Sequence, residues 1–208
     1  MRLGLAVVIS LVFCATSQAQ DVLNNVTFGF GAGFSVPAGP TRNHVQTGFN
    51  FTANGGPRFD SRFSATLDFS LHYLDLKNTL KDPRTLFDPS LGARMRLWTL
   101  TLNPNYKFIR REKFSSYVTG GYGLYSRRLL LTVGLIPADV SDPFWNVSLS
   151  GLPPTVSGRL STYKGGYNVG GGVTFGARTK FFTEVRYHHM FTTVEPTEIF
   201  PLTFGIRW

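Results

Sequence analysis

What most constrains the fold of this chain is a two-residue alternation of apolar with small or polar side chains. Successive strand side chains point to opposite faces, so such alternation describes strands with two unlike sides. From Val26 to Val36, one face carries Val26, Phe28, Phe30, Ala32, Phe34 and Val36. The other carries only Thr27, Gly29, Gly31, Gly33 and Ser35. A second strand sets Val45, Thr47, Phe49 and Phe51 against Gln46, Gly48, Asn50 and Thr52. A third sets Phe63, Ala65, Leu67, Phe69, Leu71 and Tyr73 against Ser64, Thr66, Asp68, Ser70 and His72. The fourth (Trp98, Leu100, Leu102, Tyr106) is less clean, because Leu97 falls on its polar side. The fifth turns Val118, Tyr122 and Leu124 away from Thr119, Gly121 and Gly123. The sixth opposes Tyr167, Val169, Val173 and Phe175 to Asn168, Gly170, Gly172 and Thr174. The seventh opposes Phe181, Val185 and Tyr187 to Phe182, Glu184, Arg186 and His188, and an eighth closes the chain.

The connections alternate as well. Asn54 to Pro57, Arg110 to Lys113 and Ala177 to Lys180 read as short turns. Pro37 to Asn43, Asp75 to Ser90, Arg127 to Thr162 and Thr192 to Glu198 read as longer loops. The stretch from Arg127 to Thr162, with Leu129-Leu130-Leu131, Phe144-Trp145 and several prolines, is expected to be the main surface loop. It either extends strands five and six or folds over one mouth.

Aromatic residues make up 14% of the chain, with 19 Phe, and need a nonaqueous partner. A soluble sandwich would bury them between sheets and leave a face of glycines outside. A narrow membrane barrel turns the aromatics to lipid and uses the glycines to make room within. The pattern therefore predicts an all-β fold: an eight-stranded antiparallel transmembrane up-and-down β-barrel with short periplasmic turns and longer extracellular loops. Arg2, the apolar run Leu3 to Phe13 and Ser17-Gln18-Ala19 read as a cleaved signal peptide over residues 1–20, leaving residues 21–208 as the barrel domain. The apolar run is shorter than the roughly 20 residues that span hydrocarbon. Cys14 is the single cysteine and lies inside that run, so no internal disulfide is expected.

At the C-terminal end, Phe200, Leu202, Phe204, Ile206 and Trp208 place an apolar group at every second position and finish on an aromatic. This resembles the C-terminal assembly signal of outer-membrane proteins. With Asn168-Val169-Gly170-Gly171-Gly172 and Glu184-Val185-Arg186-Tyr187, the chain resembles the small outer-membrane β-barrel superfamily of the outer-membrane protein A barrel and outer-membrane protein X. The resemblance covers essentially the whole mature chain and rests on pattern. It implies location in the cell outer membrane and contact with outer-membrane lipids and lipopolysaccharide. It also implies handling by periplasmic chaperones and the barrel-assembly machinery during biogenesis.

The inward polar set is Asn50, Asp68, His72, Lys107, Glu184, Arg186 and His188. In a lumen just wide enough for side chains, such charges must pair with one another or hold water. The expected function is that of an integral outer-membrane barrel with a structural or surface-interaction role and a lumen plugged by these groups. A narrow channel or transporter for a small solute stays open as the alternative, and a lipid A-modifying hydrolase as a third reading. Barrel-borne lipid A deacylases carry, by resemblance, a His-Ser-Asn run late in the chain, whereas His188-His189 precede Met190-Phe191 here. No catalytic residue, cofactor or metal is therefore expected. The net charge of +9 falls in turns and loop bases such as Arg110-Arg111, Arg127-Arg128, Arg178 and Lys180. It makes no aromatic stacking platform, so nucleic acid is not an expected partner. The surface ligand stays unspecified.

Overall fold

Each alternating segment forms a strand, and the strands satisfy one another's backbone by closing into a ring. In the computed structural model, residues 25–77, 94–131, 141–142, 144, 147–148, 158–177, 179–193 and 195–208 are described. The expected signal peptide, and Pro137, Pro143, Trp145, Pro153 and Pro154 of the long loop, lie outside the described residues. The strands are β1 (Val26–Ala38), β2 (Gly48–Pro57), β3 (Phe63–Asp75), β4 (Arg94–Arg110) and β5 (Phe114–Leu131). They continue with β6 (Ser141–Asp142), β7 (Val147–Ser148), β8 (Gly158–Phe175), β9 (Lys180–Met190) and β10 (Thr197–Arg207). A short helix, α1 (Thr41–His44), lies between β1 and β2. The closed ring runs β1-β10-β9-β8-β5-β4-β3-β2, and β6 and β7 form a small separate ribbon.

Every neighbouring pair in the ring is antiparallel. Closure brings β1 beside β10, with Ala32 opposite Phe204 and Phe34 opposite Leu202. Phe28 and Trp208 exchange backbone hydrogen bonds of 3.0 and 2.9 Å, so the seam leaves no open edge there. The aromatics point outward: Phe30, Phe49, Tyr122, Phe181 and Phe204 are exposed, while their neighbours Asn50, Phe182 and Thr203 are buried. This inverts the soluble arrangement and is one that a lipid surround would satisfy.

Three features depart from the sequence-based expectations. Asn54 to Pro57 are not a turn; they complete β2, because β1 continues alongside and pairs Thr27 with Gly56 and Val26 with Pro57. The true turn is Arg58 to Arg62, where the Asp60 carboxylate accepts the backbone N–H groups of Arg62 (2.5 Å) and Phe63 (2.7 Å). Val45 does not face outward either. It makes an isolated bridge to Leu76 before β2 begins, and its side chain is fully buried. Finally, Thr197 and Glu198 are no loop residues, because they begin β10 and pair with Met190 and His189; of the two courses expected for Arg127 to Thr162, extension of the flanking strands is seen as far as Leu131 and Gly158.

The Asp60 hydrogen bonds hold its carboxyl below the ordinary value of 3.8. Protonation removes an acceptor the turn uses, so this contribution to stability is complete above 3.8 and is lost as pH falls through the lower folded value. Asp60→Ala is expected to lower the urea midpoint at pH 7 and to remove part of the midpoint's fall below pH 3.8. Equal slopes for variant and wild type in acid would refute the assignment.

Candidate functional site

The interior has three layers. At the long-loop end, buried apolar side chains pack together: Val45, Leu74 from β3, Met95 and Leu97 from β4, Tyr125 and Leu129 from β5, Phe144, Met190 from β9 and Ile199 from β10. Phe144 stacks on His44 with ring centroids 4.2 Å apart and planes at 5°. The Arg127 guanidinium lies 4.5 Å from the Phe144 ring centre. It donates to the Phe144 carbonyl (2.7 Å) and to the Thr197 hydroxyl (2.8 Å). A guanidinium so held fixes Phe144 against the apolar layer. Of this apolar layer only Leu97 is legible in the sequence as inward, because inward positions are otherwise expected to be polar or glycine.

The middle layer is charged. Arg186 on β9 makes ion pairs with Asp68 on β3 (2.6 Å) and with Glu184 (2.5 Å), all three nearly inaccessible to solvent. Glu184 also accepts a hydrogen bond from the Tyr117 hydroxyl (2.6 Å) and lies 4.0 Å from Arg207. Two carboxylates thus face two guanidiniums, which removes most of the cost of isolating any one charge from water. Tiny residues on β8 make the space. A Cβ added at Gly170 would come within 2.7 Å of Arg186 Cγ, and one at Gly172 within 2.7 Å of the Tyr117 hydroxyl. The glycine face of β8 is therefore a mould for these two side chains.

Above the charges lie polar pairs. The hydroxyl of Ser35 sits 2.7 Å from Nδ1 of His72, and the Tyr125 hydroxyl 3.1 Å from Nδ1 of His188. The two imidazoles meet edge to face at 5.7 Å. Thr203 donates to Asn50 (3.0 Å), and Asn168 donates to Asn103 (2.8 Å).

Asn50, Asp68, His72, Glu184, Arg186 and His188 therefore all point into the lumen, and Asp68, Glu184 and Arg186 form one cluster. Lys107 does not join it. It stays on the inward face of β4, opposite Tyr117, but lies six residues along the strand from Thr101, the partner of Asp68, and so lines a cavity at the short-turn mouth instead. Tyr117, Tyr125 and Arg207 were missed, although each keeps step with inward neighbours: Tyr117 with Thr119, Tyr125 with Gly123, Arg207 with Gly205. None of the three stands out in the sequence, because Tyr117 and Tyr125 lie outside the clean alternation of strand five and Arg207 lies within the apolar terminal pattern. His189, the outward neighbour of His188, stacks on Tyr167 (5.0 Å, 20°) and pairs with Glu198 at 3.1 Å.

No protein-family model matches the chain, and no curated protein sequence matches it. Solved structures do match. Neisserial surface protein A is 12% identical, with a TM-score of 0.57 over 88% of this chain and 95% of that one. Ail, the attachment invasion locus protein of Yersinia pestis, solved with the heparin analogue sucrose octasulfate, is 14% identical. Its TM-score is 0.47 over 88% of this chain and 99% of that one. The outer membrane protein OprG from Pseudomonas aeruginosa is 13% identical, with a TM-score of 0.46 over 88% of this chain and 96% of that one. At such identities the likeness is one of fold. Closed by eight antiparallel strands, aromatic outside and polar within, and similar in backbone to Neisserial surface protein A, this chain is a small eight-stranded β-barrel of the outer-membrane type.

Proposed function

We propose that the protein resides in the bacterial outer membrane as a closed barrel whose role is structural or surface-interacting rather than conductive or catalytic. The layered lumen is the observation that carries this reading. Among the described residues, the apolar layer from Val45 to Ile199 caps the long-loop end, and the Asp68–Arg186–Glu184 cluster fills the middle. An eight-stranded ring has little room to spare for an ion with its water once such side chains are in place. In this orientation the short turns face the periplasm and the longer connections face outward. Outer-membrane lipids and lipopolysaccharide then surround the aromatic face. β10, with Phe200, Leu202, Phe204 and Ile206 outward and Trp208 just past its end, is the strand that chaperones and the assembly machinery would engage.

Catalysis finds little support. The hydroxyl–imidazole contacts in the lumen, Ser35 with His72 and Tyr125 with His188, join residues no more than 3% exposed, beyond the reach of a substrate. The refolded protein is expected to show no stable unitary steps in planar bilayers at ordinary salt. Steps of constant amplitude would replace this reading with a narrow channel. A lipid A acyl chain missing only from cells that carry the protein would replace it with a hydrolase.

A further inference from the structure

We propose that the short-turn mouth of the barrel is a binding site for phosphate-bearing anions. Two cavities lie there. The outer, of about 630 Å³, has Arg62, Lys107, Arg110, Arg111 and Lys180 in its walls. The inner, of about 180 Å³, has Arg58, Lys107, Lys180 and Arg207. They share Lys107, Ser115, Thr174 and Lys180, so one is the floor of the other. Among the described residues, Glu112 is the one acidic side chain in either wall.

The cations come from separate elements and converge only because the ring closes: Arg58 and Arg62 from the β2–β3 turn, Lys107 from β4, Lys180 from β9 and Arg207 from β10. Deeper in the lumen every charge is answered, since Arg186 holds Asp68 and Glu184, and Arg207 lies near Glu184. At the mouth that balance fails. Lys107 and Lys180 are half-buried and make no ion pair among the described residues. Lys180, Arg207, Arg58 and Arg110 all press on Lys107 with charge of its own sign, against the single opposed carboxylate of Asp60 in the neighbouring turn. Like charges in a concave wall raise the local concentration of anions. Hydroxyl donors complete the lining: Ser115 and Thr174, 2.5 Å apart, with Thr27, Ser64 and Thr66 below. Several cations around a ring of hydroxyls suit a group with multiple charged oxygens better than they suit a single carboxylate.

The pocket itself does not depend on where the barrel resides, but the membrane reading sets the source of the anion. With the short turns in the periplasm, the phosphate could come from a phospholipid headgroup or from a soluble phosphate compound. The test uses the full chain refolded in uncharged maltoside micelles and titrated with pyrophosphate in a calorimeter. Saturable binding is expected. Lys107→Gln/Lys180→Gln should weaken it about tenfold or more, as loss of charge-assisted hydrogen bonds does. Arg96→Gln, near the opposite mouth, should leave it unchanged. In nanodiscs, loss of pyrophosphate binding when phosphatidylglycerol replaces phosphatidylcholine assigns the site to a lipid headgroup, and retention assigns it to a soluble ligand. Absence of saturable binding, or equal affinity in the double variant, would overturn the site. If heat-modifiable gel migration shows that the double variant does not fold, Lys180→Gln alone is judged by the same criterion. A wild type that migrates as a folded barrel yet ignores pyrophosphate refutes the anion site and leaves the membrane reading intact.

Discussion

Replacing Arg186 with Met is expected to cost the folded barrel about 3–5 kcal/mol, the usual result of removing one partner from a buried ion pair. Arg186 is the sole ion-pair partner of Asp68 among the described residues, at 2.6 Å, whereas Glu184 keeps Arg207 nearby and the Tyr117 hydroxyl. The loss should therefore fall on Asp68, stranded as an unpaired carboxylate in the lumen. Adding Asp68→Asn to Arg186→Met should then recover much of the stability, since the amide carries no charge to desolvate. Urea unfolding in phosphatidylcholine vesicles, followed by Trp fluorescence, gives both numbers. A loss below about 1 kcal/mol for Arg186→Met would mean that water reaches the cluster and screens it, as at an exposed pair.

Phe69→Arg is expected to cost about 2–4 kcal/mol, the penalty for a cation on the lipid face near the bilayer midplane. Phe69 lies at the middle of β3, between Ala53 of β2 and Leu100 of β4, and is 42% exposed. Phe63 begins the same strand on the same face beside the Asp60 turn, so Phe63→Arg should cost no more than about 1 kcal/mol. A spin label at position 69 should report lipid while one at position 68 does not. Equal penalties at 63 and 69 would show that β3 does not cross the bilayer along its length.

Much of this fold was legible because an eight-stranded ring imposes one rule everywhere, and the sequence obeys it at Phe28 to Phe34, Phe63 to Tyr73 and Phe181 to His188. Rules of local chemistry did worse where tertiary pairing overrode them. Asn54-Gly55-Gly56-Pro57 has the composition of a turn, yet β1 continues beside it and holds it extended. Gly56 is needed there for close approach, since a Cβ at that position would come within 2.9 Å of Thr66 Cα. The lumen cluster was half legible. Asp68, Glu184 and Arg186 could be placed on inward faces, but which partner each would meet depends on strand register around the ring, and a single sequence does not reveal it. Tyr117 was hidden for another reason: an aromatic in such a chain is expected to face lipid, and only the glycine opposite it on β8 makes room inside. The apolar layer at the long-loop mouth was masked likewise, because Met95, Leu129 and Ile199 look like any other membrane-facing residues.

The strands also differ in length, and that difference shapes the rim. β5 and β8 have 18 residues each, β2 only 10, and crossing the hydrocarbon takes about 9–11. At about 3.3 Å per residue, the β5–β8 pair therefore has roughly 23–30 Å of strand beyond what a bilayer needs. The wall of the barrel is a parapet on that flank and ends almost flush at β2. A large molecule moving along the membrane surface would reach the rim from the low side and be stopped at the high one, so the barrel presents a direction to its surroundings even though its strands form a closed ring.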